Sequence, residues 1–140
     1  MMIADQLEAL IESAYPQLIA LTPPATTPPG CWSHHQIIGH LIDSAANNHQ
    51  RFVRLQVEAV LDFPPYQQDH WVSSQHYASR DWRALLELWR SYNLHLAWVM
   101  RHIPPSALSN VWRAPQGDLT LEFLMVDYID HLRHHLASLQ

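Results

Sequence analysis

The chain has 140 residues and a mass of 16.2 kDa, 48% of them hydrophobic, which suits a single domain over residues 1–140 with a core of its own. A net charge of −5, with only eight Lys and Arg, leaves no electrostatic grip on a phosphate backbone, so nucleic acid is excluded as a partner. No run approaches 18 apolar residues and the single cysteine, Cys31, has no internal partner, so the expectation is a cytoplasmic protein that does not engage a membrane.

Proline and glycine punctuation divides the sequence into four helical stretches. The first runs from about Ile3 to Leu21, with Leu7, Leu10, Ile11, Ala14, Leu18 and Leu21 on one face and a break or kink expected near Pro16. Ser33 and Gln36 form a capping box for the second, which can extend to about Leu61 before Pro64 and Pro65 forbid continuation. Phe63 to Ala78 then make a connection too long for a tight antiparallel turn, which predicts a crossover.

The third helix starts after Ser79 and places Trp82, Leu85, Trp89, Tyr92, Leu96, Val99 and Ile103 on an apolar seam, with His95 and His102 just off it and solvated. Pro104 and Pro105 stop it. The fourth begins near Thr120 and runs to the end of the chain, and no strand pattern of alternating residues is visible anywhere. The expected fold is all-α, a four-helix bundle with a long crossover between its second and third helices.

Chemistry concentrates in the last helix. A heptad laid along it puts Leu121, Leu124, Tyr128, His131, His135 and Ser138 on the inward seam, so two imidazoles occupy places that ordinarily hold Leu or Ile. His131 and His135, four apart, share a face one turn above the other, the arrangement that lets two imidazoles grip one metal ion. His40 on the second helix is the candidate third ligand, whereas His134 points about 100° away from His135 and belongs elsewhere.

The segments WSHHQIIGHLIDSAANNHQRF, DHWVSSQHYA, DWRALLELWRSYNLHL and LTLEFLMVDYIDHLRHHLASL together resemble the DinB-like family of small helical metalloproteins, from Trp32 to Leu139. His40, His131 and His135 fall where that family keeps its metal ligands. The resemblance implies a divalent-metal site in a four-helix bundle and, for function, a metal-dependent enzyme acting on a small molecule, either a thiol-dependent transferase or a hydrolase. The other reading is a non-catalytic bundle that binds a small ligand or a metal.

Three neutral imidazoles leave a coordination position open, as in catalytic sites, and suit zinc first, with nickel or iron next. Asp43 and Asp127 are placed to hydrogen-bond the ligand histidines from behind, and Asp43 and His134 are candidates for a catalytic base. The line His40, Ser44, Asn47, Asn48 and Arg51 is polar for an inward face, which suggests a wet cavity where Asn47 and Arg51 bind the polar or anionic end of a small-molecule substrate, a thiol among the candidates. Arg51 can instead pair with Asp69 in the crossover, and Trp71, Tyr77 and Trp112 either roof the cavity or fill the core. Small bundles of this kind often pair through an exposed helix face, so a homodimer is also expected.

Overall fold

A computed structural model describes residues 2–139. Four long helices, α1 (Ile3–Ala20), α2 (His34–Arg54), α4 (Trp82–Arg101) and α5 (Leu121–Ala137), surround one core, and the short α3 (Gln68–Ser74) lies in the connection between α2 and α4. Three of the starts have local causes. The Ser33 hydroxyl accepts from the Gln36 N–H at 3.2 Å while the Gln36 amide oxygen accepts from the Ser33 N–H at 2.9 Å, the reciprocal pair expected for α2. Asp81 caps α4 through the Ala84 N–H, and Thr120 caps α5 through the Phe123 N–H.

Two helix boundaries differ from expectation. Pro16 sits inside an unbroken α1, because it and Glu12, whose carbonyl loses its usual partner, lie on the exposed face while Leu7, Ile11 and Leu18 carry the buried stripe past it. The second helix stops at Arg54 instead of near Leu61: the Leu55 carbonyl accepts from the Asn110 side-chain amide at 2.6 Å, and the chain leaves as a strand.

That strand corrects the expectation of an entirely helical chain in detail, although the architecture remains a helical bundle. β1 (Val60–Leu61) pairs in parallel with β2 (Val111–Ala114), which forms a hairpin with β3 (Gly117–Thr120) in the order β1-β2-β3. Strands of two to four residues are too short for an alternating pattern to stand out. They bind the two long connections to each other across one end of the bundle.

Around the bundle the helices follow the order α1, α4, α2, α5, so α1 and α2 face each other diagonally, as do α4 and α5. The ring of His35 lies 5.1 Å from that of Trp82, and the His49 ring lies 5.3 Å from that of His95, so α2 and α4 run in parallel. Trp82 against Leu18 and Arg101 against Asp5 make α1 and α4 antiparallel. The link from α2 to α4 therefore returns along the length of the bundle, a true crossover.

The core is closed by Leu7, Ile11, Phe52, Leu85, Trp89, Leu96 and Leu121, all fully buried. Asn93 is buried among them; its amide donates to the Trp89 carbonyl at 2.8 Å and its oxygen accepts from the Tyr128 hydroxyl. His95 and His102 are exposed, as their offset from the seam of α4 predicts.

Candidate metal centre

Because α2 and α5 are antiparallel neighbours, the early part of one meets the late part of the other, and this crossing brings His40 to His131 and His135. One nitrogen from each imidazole lies within 4.8 Å of the others. The Nε2 atoms of His40 and His131 are 3.2 Å apart. Two nitrogens about 2.0 to 2.1 Å from a tetrahedral ion would be separated by about 3.3 Å, so the His40–His131 pair has the spacing of two ligands of one ion and the trio is a donor set of the right type.

Burial works in the same direction. His40 is 2% exposed, and desolvation with its two neighbouring imidazoles lowers its pKa to about 4. His135 is lowered to about 4, again chiefly by desolvation and then by His131 and His134; His131 is lowered by burial first and then by His134. Neutral imidazoles are the form that binds metal.

Ring contacts position the trio. Trp32, just before α2, packs its ring 4.8 Å from that of His40, while the edges of His131 and His135 approach the same ring at 5.1 and 4.9 Å. His134 is exposed and stays outside the group.

The carboxylates are not where the sequence placed them. The buried Nδ1 of His40 has no partner, so Asp43 does not support it, and among the described residues no hydrogen bond joins Asp127 to His131. Asp43 is buried but turned toward the crossover, where its Oδ1 accepts from the Tyr77 hydroxyl at 2.7 Å and from the Gln75 amide at 2.8 Å. Burial raises its pKa against the opposing pull of those two bonds. Asp127 is exposed on α5 and lines a cavity of about 160 Å³ together with His40, His131, Arg51 and Trp112.

Arg51 and Asn47 part company as well. Asn47 folds back to donate to the Asp43 carbonyl at 2.9 Å and lines a separate cavity of about 660 Å³ beside Tyr66 and Trp71. The expected pairing of Arg51 with Asp69 is absent: Asp69 lies in a groove of about 410 Å³ with Cys31, Trp32 and His135. The guanidinium of Arg51 instead stacks 3.9 Å from the centre of the Trp112 ring. Trp112, whose indole N–H donates to the Phe63 carbonyl at 2.7 Å, is thus the aromatic residue that roofs the cavity; Tyr77 is packed on α2 and Trp71 lines the larger space.

Comparison with known proteins bears on this arrangement. The sequence pattern of the DinB superfamily matches residues 4–139. The chain belongs to the DinB superfamily. Among solved structures, YfiT from Bacillus subtilis, described as a probable metal-dependent hydrolase with an unusual four-helix bundle topology, is similar to this chain at 22% identity and a TM-score of 0.82. The likeness covers 97% of this chain and 83% of that one and, at such identity, speaks for the DinB-like fold. A search of curated proteins finds no match.

Sequence reasoning missed Tyr66, Gln75 and the stacking role of Trp112. The residues carry no motif, since they meet the site only after the crossover and the hairpin have folded over α2. Gly39 was the legible hint: a Cβ there would lie 2.1 Å from the Tyr77 ring.

Proposed function

We propose that this chain is a metal-dependent enzyme acting on a small molecule, with His40, His131 and His135 holding one divalent ion and hydrolysis as its reaction. The observation that carries the reading is the convergence of three neutral, desolvated imidazoles from two helices at a place reached by two cavities. A site built only for stability is usually closed by a fourth protein ligand. Zinc suits the donor set first, nickel or iron next. The description of YfiT as a probable metal-dependent hydrolase supports the same reaction class.

A divalent ion held here supplies Lewis acidity, polarising a substrate oxygen or lowering the pKa of an incoming water or thiol. The chain's own residues do the rest. Trp32 fixes the His40 ring, and the Trp112 roof restricts water. Asp127, the carboxylate on the 160 Å³ cavity, is placed to take a proton from an attacking water, a role that Asp43 cannot fill while turned to Tyr77 and Gln75.

Thiol-dependent transfer is the second reading, favoured by one observation. The cavity on the His40 and His131 side and the groove on the His135 side open separately, which suits two reactants meeting at one centre. Elemental analysis of purified protein, followed by turnover of ester, amide and thiol-transfer substrates by the parent and His135→Ala, tests these readings. Metal at one per chain with hydrolysis lost in His135→Ala is the expected result. Transfer without hydrolysis selects the second reading, and bound metal with neither activity sinks both.

A further inference from the structure

Arg51 is 6% exposed, and among the described residues it is the buried member of the chain's cationic side chains. No carboxylate comes within ion-pair distance of it, although Arg90, Arg101, Arg113 and Arg133 all find acids at the surface. Its buried Nε has no partner, and its single hydrogen bond is a long one, 3.4 Å from Nη1 to the Asn48 side-chain oxygen. A buried charge normally forces a partner upon itself, because desolvation is repaid only by pairing. Stacking on Trp112 offsets part of that cost but uses the face of the guanidinium, leaving most of its edge donors unspent.

Arg51 lines the cavity that His40 and His131 also line. The cavity is roomy for ions yet small for ligands: 160 Å³ corresponds to about five water volumes at about 30 Å³ each. We propose that Arg51 is a substrate-positioning residue that binds a carboxylate, so that the substrate class is small molecules carrying one carboxylate, held at Arg51 while the bond that reacts lies at the histidine trio. This rests on the metal-enzyme reading above and names its substrate.

The charges of the cavity's own side chains favour a monoanion over a dianion. A guanidinium edge fits carboxylate and phosphate alike, but Arg51 is the lone cation on this cavity and Asp127 adds a negative charge at its rim. In the metal-free chain Arg51 and Asp127 cancel, so a carboxylate leaves one uncompensated charge and a phosphate dianion leaves two. The half-buried Tyr66 hydroxyl, which lines the same space and whose pKa burial raises to about 12, stays protonated and able to donate.

The test uses propionate as the probe, with propionamide and inorganic phosphate as controls, on the full chain both metal-loaded and after chelation. Binding is read from the Arg51 Nε–H resonance and from tryptophan fluorescence. Propionate should shift both signals in either metal state, propionamide should not, and Arg51→Met should weaken propionate binding at least tenfold. Arg51→Lys keeps the charge but loses the fork and should also bind more weakly, which serves if Arg51→Met does not fold. Equal binding by folded Arg51→Met, or by Arg51→Lys if Arg51→Met does not fold, overturns the proposal, as does phosphate binding to the chelated chain more tightly than propionate or an unmoved Nε–H resonance in the parent. A chain that holds no metal yet binds propionate through Arg51 would sink the enzyme reading and leave the carboxylate site standing.

Discussion

Gly39 lies directly under the ring of Tyr77, so close that a Cβ at that position would sit 2.1 Å from Cδ2 and 2.3 Å from Cγ. The gap lets the crossover press onto α2 one residue before His40 and deliver the Tyr77 hydroxyl to Asp43. In an isolated helix Gly→Ala would stabilise by about 0.8 to 1 kcal/mol. Here overpacking, typically about 1 to 3 kcal/mol, outweighs it. Gly39→Ala should therefore destabilise the fold in urea titration, and the loss should shrink when Tyr77→Leu removes the ring's outer atoms; a simple sum of the two effects would mean that the residues do not meet.

Asp43 gives a pH prediction with a definite sign. Burial raises its folded-state pKa above the ordinary 3.8, so the folded chain binds the proton more readily than the unfolded one. Ionisation of Asp43 thus detracts from stability above the folded pKa, and the penalty fades as pH falls toward 3.8. Asp43→Asn, which keeps an oxygen for Tyr77 and Gln75, should melt higher than the parent at pH 7, with the difference closing near pH 3. A lower melting temperature at pH 7 would show that the carboxylate is compensated in a way its two hydrogen bonds do not account for.

The histidine trio behaves oppositely. With His40 and His135 lowered to about 4 from 6.5, the unfolded chain takes up protons first on acidification, so their contribution is full above about pH 7 and is lost as pH falls from 6.5 toward 4. Bound metal deepens the effect, since protons and metal compete for the same nitrogens. Free metal at a thousand times its dissociation constant adds about 4 kcal/mol. Melts with and without chelator should differ strongly at pH 8 and much less at pH 5; superimposed melts at pH 8 in metal-loaded protein would uncouple metal from the fold.

Replacing His40 separates ligand from packing residue. His40→Ala should lower metal affinity by more than a factor of about 100, the upper end of the cost of losing an outer partner, while the apolar core keeps the helices together at a cost of about 1 to 3 kcal/mol. Circular dichroism alongside metal titration checks both parts. An unfolded variant, under conditions where the chelated parent is folded, would make packing the residue's first role.

The helices and the histidines were legible because both follow from period. Ser33 with Gln36 marked the start of α2, and the inward seam of α5 placed His131 and His135 together. The surroundings were not legible, since they come from contacts between residues far apart in the chain. Asp43 was assigned by its distance from His40 along α2, yet Tyr77 and Gln75 compete for its oxygen; Arg51 was matched with an acid in the crossover, yet an indole from the hairpin covers it. Hydrophobic period fixes which face of a helix turns inward, but not which loop will fold over it.

The hairpin itself divides the site into parts that can vary independently. The imidazoles belong to α2 and α5, whereas Trp112 and Gln116 hang over the same cavity from β2 and its turn, which is exposed and closed by Gly117 at φ +124°. Insertions or substitutions between Ala114 and Gly117 can redraw the ceiling while the helical floor keeps its register. Changes confined to those few surface residues alter what the cavity admits while the three imidazoles stay where the helices put them.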